Sequence, residues 1–212
     1  HPDVEKIAFT GSNLTGAKIM SESALAGVKP IHLELGGKTP QVVFEDISDI
    51  DSTVDKIAAG IFVNSGQVCT SGTRLIAHHK ILDGVLEKLI KIGKSKIPGP
   101  TWDSNTTLPP IVSKKQADRI DRLVSESVNL GAKIIEGGEW YETNYGGYFY
   151  KPTFIENINK EMPIFKEEVF GPVINVEKFE DEQEGIEKAS HPNYGLAACI
   201  HTSNLNTAIN MS

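Results

Sequence analysis

IAFTGSNLTGAKIMSESALAGVKPIHLELGG, residues 7–37, reads as strand, helix, strand. Ile7 to Thr10 is a short apolar run that stops at Gly11-Ser12, a turn pair. Leu14, Ala17, Met20 and Ala24 then recur at helical spacing. Pro30 to Leu35 alternates apolar and polar residues as a strand does, and ends at Gly36-Gly37. The same alternation continues outward. Gln41 to Phe44 reads as a strand. Asp51 or Ser52 can cap a helix whose inner face is Val54, Ile57, Ala58 and Ile61. Leu75 to Ala77 is strand-like, and Leu82, Val85, Leu89 and Ile92 mark a helix that stops before Pro98-Gly99-Pro100. Lys114 to Leu130 is a helix facing inward through Ala117, Ile120, Leu123, Val124 and Val128. Ile134-Ile135, Phe154-Ile155, Val173 to Val176 and Ala197 to Ile200 complete the strands, while 102–110 and 139–148 read as loops. Strands alternating with helices predict an α/β fold with a mostly parallel sheet flanked by helices.

The chain has 212 residues, 39% of them apolar, enough for a substantial core. Its formal charge is −7, and no basic cluster is longer than Lys114-Lys115, so neither nucleic acid nor a membrane surface is an expected partner. The longest apolar run, Ile57 to Val63, is far too short to span a bilayer. Two cysteines, Cys69 and Cys199, make no disulfide framework and fit a reducing, cytoplasmic setting. The sequence opens on His1-Pro2 and closes within an apparent helical pattern, LNTAINMS; it reads as a piece of a longer protein.

Chemistry concentrates in four stretches. In GQVCTSG, residues 66–72, Cys69 has small, mostly polar neighbours. Such a turn brings backbone N–H groups close to a reacting oxygen, and a thiol there can act as a nucleophile. Cys199, inside LAACI, reads instead as core. Glu34, inside HLELGGK, is either an exposed edge-strand residue or a carboxylate in a pocket, where desolvation would suit it to general-base work. Glu167, Glu168 and Phe170 lie in KEEVFGPV, a turn that sets an aromatic and a carboxylate beside a rigid bend; such a carboxylate can accept from a sugar hydroxyl. FTGSNLTG, residues 9–16, places a Gly-Ser turn at a helix N-terminus, where phosphate can bind. No metal-ligand pattern is present.

In this order, FTGS (9–12), LELGGK (33–38), GQVC (66–69), EEVFGPV (167–173) and YGLAA (194–198) resemble the NAD(P)-dependent aldehyde dehydrogenase superfamily along the whole chain. Glu34 and Cys69 stand 35 positions apart, close to the family spacing. The resemblance implies that Cys69 attacks the aldehyde carbonyl, with its own backbone N–H as half of the oxyanion hole. It implies that Glu34 activates the water that hydrolyses the thioester. Gly11 and Ser12 would lie near the phosphates of NAD or NADP, Leu35 near the nicotinamide, and Glu168 on its ribose with Phe170 beside it. Phe62, Val63, Val68 and Thr70 would line the substrate pocket; none is charged, which points to a small neutral or apolar aldehyde. Residues 1–36 would be the end of the dinucleotide-binding domain, and 37–212 a catalytic domain cut before its C-terminal end. The parent would be a homodimer or homotetramer. Ser71 and Thr39 depart from the residues the family more often has there. Two other readings compete: a thiol hydrolase pairing Cys69 with His78 or His79, which would not need NAD, and a catalytically silent unit. Within the family, the presence of Glu34 favours hydrolysis over transfer to coenzyme A.

Overall fold

Strand β1 (Ile7–Thr10), helix α1 (Asn13–Leu25) and strand β2 (Ile31–Glu34) form where the sequence pattern predicts them. The computed structural model describes residues 1–144 and 146–212, divided into two units, His1–Gly37 and Lys38–Ser212. In the first, β1 and β2 pair in parallel, from Ile7 opposite Ile31 to Thr10 opposite Glu34. Ser12 caps α1, its hydroxyl accepting from the Thr15 N–H at 3.3 Å. The helix buries Gly16 and Ser23, not the residues whose spacing marked it; Leu14 is 84% exposed. Gly16 faces Leu35. A Cβ there would lie 2.6 Å from Leu35 Cδ2, so glycine lets the helix lie close against that side chain.

The second unit holds a six-stranded sheet. In chain order its elements are β3 (Pro40–Val43), α2 (Ile50–Phe62), β4 (Arg74–His78), α3 (Leu82–Lys94), α4 (Lys114–Asn129), β5 (Lys133–Glu136), β6 (Thr153–Glu156), α5 (Pro163–Lys166), β7 (Val173–Phe179), α6 (Glu182–Ala189), β8 (Cys199–His201) and α7 (Leu205–Asn210). The strands lie in the order β5-β6-β7-β4-β3-β8. Every neighbouring pair is parallel except β5 with β6, so the mostly parallel α/β sheet is as expected. Alternation sorts side chains to the two faces. Val43, Leu75, Ala77, Ile174 and Val176 pack with Val54, Ile57, Ile61, Val85 and Leu89 of α2 and α3. Val42, Ile76 and Phe179 join Phe44 in a separate cluster. Central strands buried on both sides explain their near-continuous apolar runs. A further cluster gathers Ile120, Leu123, Ile155 and Val173 around α4.

Three details differ from the sequence pattern. The cap of α2 is Asp49, whose carboxylate accepts from the Ser52 N–H at 3.0 Å, so the helix starts before Asp51. On α4 the buried residue is Ser127, because its hydroxyl accepts from the Ile164 N–H at 3.1 Å; Val128 is 37% exposed. Cys199 is half-buried, since β8 is an edge strand. In the 139–148 loop, Tyr145 lies outside the described residues. No helix among the described residues is long and apolar enough to cross a membrane.

Parallel pairing has one consequence for the site. Pro40 of β3 faces Arg74 of β4, which faces Asn175 of β7. The segments that lead into these three strands therefore meet at one end of the sheet, beyond the N-termini of its central strands. They are Lys38-Thr39, the Cys69 loop and the Phe170 turn.

Candidate active site

The Cys69 loop leaves α2 through a tight turn. Asn64, Ser65 and Gly66 all have positive φ, at 49°, 54° and 73°. For the two non-glycine residues that conformation costs about 1–3 kcal/mol each and persists only when neighbours enforce it. They do. Ser65 Oγ donates to Pro109 O at 2.5 Å. Gln67, buried, donates from Nε2 to Pro110 O at 3.1 Å and accepts at Oε1 from the Val112 N–H at 2.8 Å. On the other side of Cys69, the Ser71 hydroxyl is 3.2 Å from the carbonyls of Gly60 and Ile61, near the end of α2. The Gly72 N–H donates to Gly60 O at 3.1 Å. Cys69 is thus held between two fixed residues, Gln67 and Ser71. Its side chain is half-buried, Val68 is half-buried, and Val63 and Thr70 are exposed. Phe62 is placed differently from the pocket expectation. It is 2% exposed and packs edge-on against Phe154, 6.5 Å between ring centres, so it supports the loop from the core.

Phe170 sits in the second segment, with φ of 57°. This segment is fastened by side chains from several elements. Lys38 Nζ donates to Ile164 O at 2.9 Å and to Glu167 O at 2.8 Å. Gln116 Nε2 donates to Val169 O at 2.8 Å and Phe170 O at 3.0 Å. Arg119 donates to Val169 O at 3.1 Å and pairs with the Glu167 carboxylate at 3.0 Å. His191 Nε2 donates to Phe165 O at 3.0 Å, and the Glu168 N–H donates to the Tyr194 hydroxyl at 3.2 Å. Burial, and then the nearby Arg74 guanidinium, pushes the Lys38 amine down to about 7. The two segments touch. A Cβ on Gly66 would lie 2.3 Å from Gly171 O, so GQVC and FGP approach at backbone distance.

Within the first unit, pairing of Thr10 with Glu34 brings the FTGS and LELGG turns side by side. The Gly11 N–H donates to Glu34 O at 3.0 Å, and the Gly36 N–H donates to Asn13 Oδ1 at 3.0 Å. Leu35 is half-buried over Gly16. The Glu34 side chain, at the end of β2, is 50% exposed, with Oε1 3.4 Å from His32 Nε2.

The histidines of the hydrolase reading stand elsewhere. Strand β4 carries His78 about 13 Å past Arg74, at about 3.3 Å per residue, whereas Cys69 precedes that strand. His78 is buried and its Nε2 donates to Glu180 O at 3.1 Å. His79 is exposed beyond it. The His78 ring is thus engaged with Glu180 O, and its Nε2 lies 3.9 Å from the Glu45 carboxylate. The sequence reading gave no role to Lys38, Gln67, Gln116 or Tyr194. Lys38, Gln67 and Tyr194 lie inside the motifs LELGGK, GQVC and YGLAA, which could have drawn attention to them; Gln116 carries no such signal.

Comparison with known proteins agrees along the full length. The description "Aldehyde dehydrogenase family" matches residues 1–212. An aldehyde dehydrogenase of Davidiella tassiana is 40% identical over 212 residues, covering 100% of this chain and 42% of that protein. The chloroplastic betaine aldehyde dehydrogenase of Beta vulgaris is 43% identical over 206 residues, covering 97% and 41%. Among solved structures, betaine aldehyde dehydrogenase of Staphylococcus aureus in complex with NAD+ superposes with a TM-score of 0.93 at 36% identity, covering 100% and 42%. The NAD+ complex of a Bacillus cereus aldehyde dehydrogenase gives 0.93 at 38% identity, with the same coverage of 100% and 42%. The chain spans about two fifths of the length of the relatives it matches.

Proposed function

The chain belongs to the aldehyde dehydrogenase family, and on that footing we propose that it carries the nucleophile and part of the cofactor site of an enzyme that oxidises an aldehyde to a carboxylic acid with NAD or NADP. The observation that carries this reading is the contact between the Cys69 loop and the Phe170 turn at Gly66 and Gly171. Two separate motifs are fixed there at one end of the central strands.

In this reading the Cys69 sulfur forms a C–S bond to the aldehyde carbon, and the Cys69 backbone N–H donates to the developing oxyanion. Loss of hydride from that carbon leaves a thioester on Cys69. The nicotinamide cofactor supplies the hydride acceptor, which no side chain can provide. Glu34 takes a proton from water, the resulting hydroxide adds to the thioester carbon, and the C–S bond breaks to release acid and free Cys69. Val63, Val68 and Thr70 meet the rest of the substrate; with no charge among them, a small neutral or apolar aldehyde fits best.

The residues present fit the cofactor. Helix α1 has 13 residues and no acidic side chain in its first turn, so its N-terminus, with Gly11 and Ser12, suits a phosphate. Glu168 would accept from the ribose, Phe170 would pack beside it, and Leu35 would lie near the nicotinamide. The same reading carries a cytoplasmic setting and a homodimeric or homotetrameric enzyme. Its test is aldehyde-dependent NADH or NADPH formation, which should vanish in Cys69→Ser and persist in Cys199→Ser. Equal loss in both variants would defeat it.

A further inference from the structure

The YGLAA stretch has no part in the chemistry above, yet its first residue reaches the cofactor segment. The Tyr194 hydroxyl accepts from the Glu168 N–H at 3.2 Å. Its ring lies 5.1 Å from the His191 ring, tilted by 56°, and the His191 ring lies 5.0 Å from Phe165, tilted by 33°, so the three rings form a packed row. His191 fixes the Phe165 carbonyl, and Lys38 fixes the carbonyls of Ile164 and Glu167. The peptide that precedes the Glu168 side chain is therefore gripped at both ends. Lys38 holds the Glu167 carbonyl, and Tyr194 holds the amide hydrogen of the same peptide group, that of Glu168. Two such bonds fix the plane of that peptide, and beyond Glu168 the Val169 carbonyl is held by Gln116 at 2.8 Å and Arg119 at 3.1 Å; the backbone is restrained on both sides of Glu168, and with it the direction of its Cα–Cβ bond.

We propose that Tyr194 is a positioning residue for Glu168, acting through the backbone to fix the direction of the carboxylate that receives the cofactor ribose. This rests on the assignment of Glu168 to the ribose. A ribose hydroxyl can be held only by a carboxylate already aimed at it, and misplacement by about 1 Å from a distant change is enough to weaken a contact strongly. The packing of these rings supplies the stiffness that a hydrogen bond alone lacks. Removing the hydroxyl leaves the ring in place, so the positioning role separates from packing.

The test is steady-state kinetics of the active enzyme with Tyr194→Phe, run beside Glu168→Ala. The expected result for Tyr194→Phe is a KM for the nicotinamide cofactor raised about fivefold, as for loss of one neutral hydrogen bond. The KM for aldehyde, the melting temperature and the rate of Cys69 alkylation by iodoacetamide should stay at wild-type values. A merely structural role would instead lower the melting temperature and leave the cofactor KM where it was. If Glu168→Ala raises the cofactor KM and Tyr194→Phe does not, the positioning role is wrong while the ribose assignment stands. If Glu168→Ala has no effect on the cofactor KM, the ribose assignment fails and takes the inference with it. Lys38→Met serves as a second variant from the other end of the peptide and should raise the same KM.

Discussion

Replacing Lys38 with methionine should change how stability depends on pH, and the geometry gives both sign and size. The Lys38 amine is buried beside Arg74, with Arg119, Glu168 and Glu177 as its other charged neighbours, and titrates near 7 in place of a lysine's ordinary 10.5. Between those values the unfolded chain binds one more proton than the folded one. Stability therefore rises with pH in this window, by about 1.4 kcal/mol per pH unit. Integrated from about pH 6.5 to 9.5, the gain is about 3 kcal/mol. For a protein of this size that corresponds to roughly 6–12 °C in Tm. Methionine has no titration, so its variant lacks this slope. It also leaves Glu167 O and Ile164 O short of a donor, a loss of about 1–3 kcal/mol that does not vary with pH. The assay is thermal unfolding of both proteins across that pH range. Wild-type Tm minus variant Tm should climb steadily towards alkaline pH. A gap that stays constant would show that the amine keeps an ordinary lysine titration, and would refute the buried charge.

Other expectations follow from the loop geometry and from the proposed chemistry. Gly66→Ala puts a methyl 2.3 Å from Gly171 O at φ of 73°; it should destabilise the protein by about 1–3 kcal/mol and slow alkylation of Cys69, which differential scanning calorimetry and iodoacetamide kinetics would read. Gln67→Ala removes the bonds to Pro110 O and the Val112 N–H and should cost about 1–3 kcal/mol, measurable by urea unfolding, with Cys69 reactivity altered in the same samples. Glu34→Gln in the active enzyme should give a burst of NADH without steady turnover; undiminished steady turnover would remove Glu34 from the role of base.

Much of the fold could be read directly from residue patterns. Val42 and Val43 go to opposite faces of one strand, and the helical face of Val54, Ile57, Ala58 and Ile61 is buried as spaced. The reading failed where tertiary contacts decide the outcome. Ser127 is inside because Ile164 offers it an N–H, which no spacing of apolar residues foretells. The four-residue helix α5 is too short to show a period. The same division holds for the site. Cys69 stood out by its neighbours. Lys38, Gln116 and Tyr194 did not, because their partners are backbone carbonyls and amides far along the chain. Such partners leave no trace in local composition. His78 looked available to Cys69 only until the strand between them fixed their separation.

The most direct measurement is to trap the covalent species. The Glu34→Gln enzyme is mixed with aldehyde and NAD, quenched in acid within seconds, and mapped by peptide mass spectrometry. The expected result is one acyl group on the peptide that carries Cys69, absent when NAD is omitted and absent in a Cys69→Ser background. An unmodified Cys69 during the burst, or an acyl group on Cys199 instead, would contradict the assignment of Cys69 as the nucleophile.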